Sequence, residues 1–567
     1  MRGFRSFLII ATLLTFLSPA KAVEIPDVRF DGNAQFLAEH PGKDYLGAWF
    51  TDSSWRAIQT PSYLNKEDAP ISDPLCQSVT ECDGHQLSMV ANLGFCHDAA
   101  ENNCIENVIA TESSGKNIPY TNQRYFPASQ ELVFRGKPES QVPNGSTPSV
   151  VQFPGLVNGS GETNYAIAAY VLRRFTLNAD GSANYSDPLF LSSIIPVQLV
   201  SGDYVPRKMS KNSGGLNYSE WDKEVNCAVV EIGICGEPTS FPKDISFSLK
   251  LRLNQVFYGW LHGRLTGGQI KSTYLGGNNY SIEISGKPSA IPDVVAAVKS
   301  NDAPTKLLQD TFGFNSLANV SSSSLPLTAV FAPVRGTYTY NGFLNWLPYM
   351  TGKAAAMPSV WAVRNITKDQ VLASSGDKAL NCLIAASSDS KNNGIVGYVN
   401  TNATSYMSGP PTYNAVDQSL EYKVAAPHFT TDGSEFQGLY SLQIRADTAR
   451  CIFNLSDAPV KATVSVTSSD GIEQTVATSV NLKDDFYYFQ ASGFHFSAPT
   501  IKLKLFNSAA APSASPTPTA STSPSKDVSQ VRPTAPRKII VFNCVKGKMV
   551  KKVSGVNPKC PSGYKKA

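Results

Sequence analysis

From Phe247 to Leu253 the chain alternates without a break. Phe247, Leu249, Leu251 and Leu253 are apolar, and Ser248, Lys250 and Arg252 between them are polar. A period of two is the pattern of a strand with one face buried and the other in solvent. The alternation returns at Ile501, Leu503 and Leu505, with Lys502 and Lys504 on the other face. Residues 462–466 and 475–482 flank Asp470-Gly471, and 165–177 runs into Asp180-Gly181, so both stretches read as hairpins. Strands divided at short intervals by Gly, Pro and Asn turns predict an all-β chain of antiparallel β-sandwich domains. Helical spacing is confined to 292–298, 305–312 and 343–356.

At 567 residues the chain has room for two to four domains at roughly 100–200 residues each. Arg2 and Arg5, the apolar run 7–17 and Ala20-Lys21-Ala22 predict a secretory signal peptide over 1–22. An N-terminal β domain is expected over 23–287, an irregular, partly helical connector over 288–377 and a β-sandwich over 378–507. A disordered Pro/Ser/Thr linker is expected over 508–536, and a small basic module over 537–567. No Cys follows the cleavage site to carry a lipid, and no later apolar run approaches ~18 residues, so an integral membrane protein is not expected.

Export sets the reading of the ten cysteines, which in an oxidising compartment form disulfides. Cys227 with Cys235 and Cys544 with Cys560 are close in sequence, and Cys382 with Cys451, both expected on strands of the 378–507 sandwich, makes a longer staple. Cys76, Cys82, Cys96 and Cys104 form a cluster with three pairings open. His85 and His97 lie inside that cluster, but its spacings are not those of zinc knuckles, and neither a metal nor any other cofactor is expected.

The near-neutral total of 49 Lys+Arg and 45 Asp+Glu hides a division. Three basic residues fall within 1–22, and eleven lie from Lys526 onward against one acid, Asp527. The body between them keeps 35 basic and 44 acidic residues. Such polarity concerns partners rather than fold. In the tail Lys546, Lys548, Lys551, Lys552, Lys559, Lys565 and Lys566 surround the Cys544–Cys560 loop, whose closure stabilises by ~3 kcal/mol. A unit this small cannot fold on apolar burial alone. Lysine rather than arginine suits diffuse attraction to polyanions. Outside a cell those are anionic wall polymers or the envelope surface, and export argues against nucleic acid.

Motifs for chemistry are missing: G-x-S-x-G, the phosphate loop, H-E-x-x-H and G-x-G-x-x-G do not occur. His262 in Trp260-Leu-His-Gly-Arg264 reads as a hydrogen-bonded histidine at a strand end, and 178–184 as a hairpin turn rather than a calcium loop. Tyr338, Tyr340 and Trp346 form an aromatic set that could stack on sugar rings, the candidate contact for a glycan ligand.

Several short segments carry a resemblance: A-L-N-C-L (379–383), L-E-Y-K-V-A-A-P-H-F (420–429), Y-S-L-Q-I-R-A-D-T-A-R-C (440–451) and G-F-H-F-S-A-P-T-I-K-L-K-L (493–505). The tail adds C-V-K-G-K-x-x-K-K-V followed by P-K-C-P-x-G-Y-K-K. Together they resemble uncharacterised secreted, β-rich surface proteins of actinobacteria that share this C-terminal module. The resemblance implies surface exposure or secretion and no particular activity. The expectation is a secreted, cell-wall-associated structural or adhesin-like binding protein held by its tail, its β domains carrying a glycan or protein ligand. The alternative is an extracellular glycan-active hydrolase.

Overall fold

A computed structural model describes residues 31–507 with internal breaks, the longest being 53–61, 220–226, 313–326, 367–376 and 388–393, and in the tail 540–546, 549–555 and 564–566. The chain divides into two compact units after Ser508. The expected signal peptide and the linker lie outside the described residues. The expected all-β class holds: antiparallel sheets dominate, and the helices are short.

Helix α1 (Gly32–Glu39) leads to β1 (Tyr45–Asp52), then to β2 (Tyr63–Lys66) and β3 (Gln86–Asn92). Next come β4 (Cys104–Thr111) and two long strands, β5 (Asn164–Leu177) and β6 (Leu189–Ser201). The alternating segment is β7 (Ser246–Leu253), followed by β8 (Gly259–Gly263), β9 (Leu265–Gly276) and β10 (Asn279–Ala290). β11 (Val294–Lys299), α2 (Thr305–Phe312), β12 (Leu327–Ala332), α3 (Thr337–Trp346) and β13 (Ser359–Ile366) complete the first two thirds. The remainder is α4 (Asp377–Ser387), β14 (Ile395–Thr401), β15 (Ser419–Ala425), β16 (Gln437–Arg445), α5 (Ala446–Phe453) and β17 (Val460–Thr467). After these come β18 (Glu473–Ala477), β19 (Asn481–Lys483), β20 (Phe486–His495) and β21 (Thr500–Asn507).

One long sheet is the backbone of this unit, in the order β2–β3–β5–β6–β13–β8–β14–β16–β20–β19. Its pairs are antiparallel except β8–β14, which is parallel. A covering sheet, β4–β7–β10–β9, lies over its first part. Leu249, Leu251, Ile282 and Ile284 from the cover meet Met89, Ile167, Ile194 and Trp361 from the long sheet in the largest core. β10 hands over to the long sheet at Ser289 and Ala290, which pair with β13. Over the far part, a distal sheet, β15–β21–β17–β18, lies against the opposite face. There Leu442, Ile444, Tyr487 and Phe489 pack with Val424, Val464, Ile501 and Leu503. The long sheet therefore serves two sandwiches, one on each face. The ladder β13–β8–β14–β16 runs through the expected boundary at 377/378, so the two sandwiches share strands rather than a linker. A third core holds β1, β11, α2 and α3 together.

Three local expectations need correction. Residues 292–298, expected helical, are the strand β11, because Val294 to Lys299 pair along β1, which lies more than 240 residues earlier. A short apolar run fits either period, and the distant partner decides. Cys382 and Cys451 were expected on strands and lie on α4 and α5, which pack together and are joined by the Cys382–Cys451 bond. Both segments are rich in Ala and other helix formers. The helix expected over 343–356 starts earlier and ends at Trp346, two residues before Pro348. By contrast 305–312 forms α2 as expected, and β17 with β18 forms the hairpin expected around Asp470-Gly471.

The four-cysteine cluster pairs as Cys76–Cys82 and Cys96–Cys104, and Cys227–Cys235 forms as expected from spacing. In the second unit Ile540–Lys546, Met549–Gly555 and Lys565–Lys566 make a three-stranded antiparallel sheet. Cys544 lies on its central strand, and Cys560 lies outside the described residues.

Candidate functional site

The covering sheet stops at β9, and the long sheet continues past it. Where the cover is present, the long-sheet face beneath it is apolar. Beyond β9 that same face turns polar, because the residues that follow in register are amides, hydroxyls and one phenol. Ser441 and Gln443 of β16 stand opposite Gln490 and Tyr488 of β20, and Tyr488 stands opposite Asn481 of β19. The step between β9 and this uncovered face is an open groove of about 340 Å³.

Its floor is fixed by unusual packing. Gln443, 2% exposed, reaches across to β9: its Oε1 accepts from the Ile270 amide at 3.1 Å and its Nε2 donates to the Ile270 carbonyl at 2.9 Å. One side chain thus does what a neighbouring strand would do. Beside it the β9–β10 ladder slips between Thr266 and Gln269, a bulge made of Gly267 and Gly268. Gly267 sits at φ +65°, where only glycine is comfortable. A Cβ on Gly268 would lie 2.8 Å from Asn400 Oδ1, so any larger residue here would push the buried Asn400 amide aside. Asn400 in turn donates to Ser441 Oγ at 3.3 Å.

The groove's rim is different. Asn481, Lys483 and Gln490 are exposed and Tyr488 is half-buried, and none of the four side chains makes a hydrogen bond within the described residues. Burial, with a smaller contribution from Asp484, raises the Tyr488 pKa, so at neutral pH the hydroxyl keeps its proton and can donate. Lys483 is held by the β19–β20 turn, in which Asp484 and Asp485 take φ of 50° and 63°. Among the described lining residues none is a carboxylate. The two acids of glycoside hydrolysis are therefore not on these walls.

A second polar cluster lies deep in the same unit. Arg264, 2% exposed, donates from Nε to Asp52 at 2.6 Å and from Nη1 to the carbonyls of Thr401 and Ala403 at 3.0 and 2.6 Å. Arg364 donates from Nε and Nη2 to the Tyr406 hydroxyl, both at 3.1 Å. His262 stacks on the Tyr406 ring at 3.7 Å and 5°. Among the described residues its Nε2 has no hydrogen-bond partner, and the ring expected at a strand end is buried and stacked. Burial, then the charges of Arg264 and Arg364, lower its pKa well below the usual imidazole value. The cluster ties β1, β8, β13 and the chain after β14 together, a structural rather than a catalytic arrangement. Arg364 inside the apolar run Ser359–Ile366 was its sequence signal, but the partners come from distant strands.

The expected aromatic platform is not at the surface. Trp346 is fully buried, with Nε1 donating to Thr311 Oγ1 at 2.9 Å, and Tyr340 is 4% exposed. Both fill the core beside α2 and β1, and the side chain of Tyr338 lies outside the described residues. His85 pairs with Asp68 at 3.0 Å, and His97 bridges Glu101 and Glu131 at 3.0 and 2.7 Å. The cysteines around them are disulfide-bonded. Asn184 pairs with Thr176, in keeping with a hairpin at 178–184. Of the tail lysines, Lys565 and Lys566 are exposed, Lys546, Lys551 and Lys552 have described backbone only, and Lys548 and Lys559 lie outside the described residues. In the register, Lys551 and Lys566 flank Cys544 on its two sides.

Comparison with known proteins finds no matching family model, no similar curated protein and no similar solved structure.

Proposed function

We propose that this is an exported, cell-envelope-associated binding protein of the actinobacterial surface type, tethered by its basic tail and presenting the β body as its binding surface. The observation that carries the reading is the charge division. Residues 537–567 hold nine basic residues and no acid, while the body is acidic. Four disulfides in the body fit an oxidising compartment, and among the described residues no helix is long and apolar enough to cross a membrane. The tail sheet brings Lys551 and Lys566 to one rung about Cys544, concentrating charge on a small unit. Anionic wall polymers are the polyanions such a unit meets after export.

The test is sedimentation with purified actinobacterial cell walls, comparing the mature chain with one ending at Ala535. The full chain should pellet with the walls and the shortened one should stay in solution. Binding should fall between 0.1 M and 1 M salt, as the screening length drops from about 10 Å to about 3 Å. Equal pelleting of the two chains, or indifference to salt, refutes the tether.

A further inference from the structure

We propose that the groove between β9 and β19–β20 is a binding site for a neutral saccharide chain. This goes beyond the tether, since it concerns the body, uses none of the tail lysines and stands or falls separately.

On the rim, Asn481 and Gln490 each present a carboxamide, a donor and an acceptor side by side, uncommitted to any hydrogen bond within the described residues. Vicinal hydroxyls of a sugar are the complementary group, each both donor and acceptor. Tyr488 adds a half-buried ring and a protonated hydroxyl between them in register. An apolar sugar face packs on such a ring while its hydroxyls reach the amides. Asn481 and Tyr488 stand on neighbouring strands, about 4.8 Å apart across the sheet, and Gln490 follows Tyr488 two residues along β20, about 7 Å away, so the three groups span the reach of more than one sugar unit.

Charge and shape narrow the ligand further. The described walls carry one formal charge, Lys483, and no carboxylate, which suits a neutral polyol better than a polycation or polyanion. The volume, about 340 Å³, falls at the lower end of the ~300–1,000 Å³ range of small-ligand sites. A peptide adding as a strand would need the edge of β9 that faces the groove. There the Ile270 amide and carbonyl are both taken by Gln443, and the glycine bulge breaks the ladder. Recognition is left to side chains. Gln443 and Asn400 are positioning residues: both are tied to protein groups and hold the floor open.

The experiment is calorimetric titration of the mature chain with short neutral oligomers of glucose (α- and β-linked), mannose, xylose and N-acetylglucosamine, in enough salt to screen the tail. At least one oligomer should bind. Gln490→Ala and Asn481→Ala, both at exposed positions, should each weaken it about three- to tenfold, the worth of one hydrogen bond. Tyr488→Ala should weaken it about tenfold or more, and Tyr488→Phe should recover part of the loss. Truncation at Ala535 should leave binding unchanged, which separates this site from the tether. Absence of binding to every oligomer, or binding that all four groove variants leave intact while melting shows them folded, overturns the proposal.

Discussion

Acid should destabilise the body through one residue, His262. Its ring is 1% exposed, stacked on Tyr406 and flanked by Arg264 and Arg364, with Asp52 on the far side of Arg264. Burial first, then the two guanidinium groups, hold its pKa well below the ordinary 6.5, so the folded protein keeps the ring neutral. Above about pH 6.5 the histidine is neutral in both states and its contribution is intact. Below that, the unfolded chain takes up a proton that the folded one refuses. Stability then falls by about 1.4 kcal/mol per pH unit until the depressed folded pKa is reached. The comparison protein is His262→Phe, which keeps a ring on Tyr406 and cannot titrate. Urea unfolding, followed by the fluorescence of buried Trp260 and Trp361, gives both stabilities at each pH. His97 contributes in the opposite direction: Glu131 and then Glu101 raise its pKa, so its stabilisation is present in acid and fades as pH rises. Because it and the carboxylates are common to both proteins, the difference isolates residue 262. A stability gap between the two proteins that stays constant with pH refutes the reasoning.

Three further perturbations test the packing. Arg264→Met should cost about 3–5 kcal/mol, since it strips a buried carboxylate, Asp52, of its cation, and urea midpoints would report it. Replacing Cys382 and Cys451 together by Ser opens a 69-residue loop and should cost about 4 kcal/mol, read as a lower melting temperature that no longer responds to reductant at this bond. Asp485→Gly should stabilise by about 0.5–1 kcal/mol, because the two-residue β19–β20 turn needs positive φ at both positions and the present Asp pair also repels itself, a gain visible as a raised melting temperature.

Much of the fold could be read from the chain where a single local period decides. β7 alternates buried and half-buried residues from end to end, as its sequence does, because one of its faces is covered and the other is wet. β21 follows for the same reason. The reading failed where a distant partner decides. Val294–Lys299 is apolar enough for either period, and only pairing with β1 makes it a strand. Trp346 and Tyr340 looked like surface aromatics because nothing local shows that α2 and β1 cover them. The shared long sheet was equally hidden: β8 joins β13 and β14 across 96 and more residues, and no linker composition marks where one sandwich gives way to the other.

The groove shows why its residues escaped notice and why they still carry meaning. Phe486-Tyr487-Tyr488-Phe489 reads as one aromatic run, yet a strand sends its members to opposite faces. Tyr487 and Phe489 enter the distal core beside Leu442 and Ile444. Phe486 enters the other core, under the cover, and Tyr488 is the next residue on that face. Tyr488 packs against that same core yet is half exposed, and its partner in register on the outer strand, Asn481, is polar and exposed. Had Ser441, Asn481 and Gln490 faced the covering sheet, they would have been unpaired polar groups in an apolar core. Had they been apolar where they stand, they would have extended the core residues into an exposed hydrophobic patch. Solvent exposure accounts for polarity in general, but charged side chains would meet that need as well. Amides beside a half-buried phenol, over a floor shaped by a two-glycine bulge, are a narrower choice, and recognition of hydroxyl groups is the chemistry they suit.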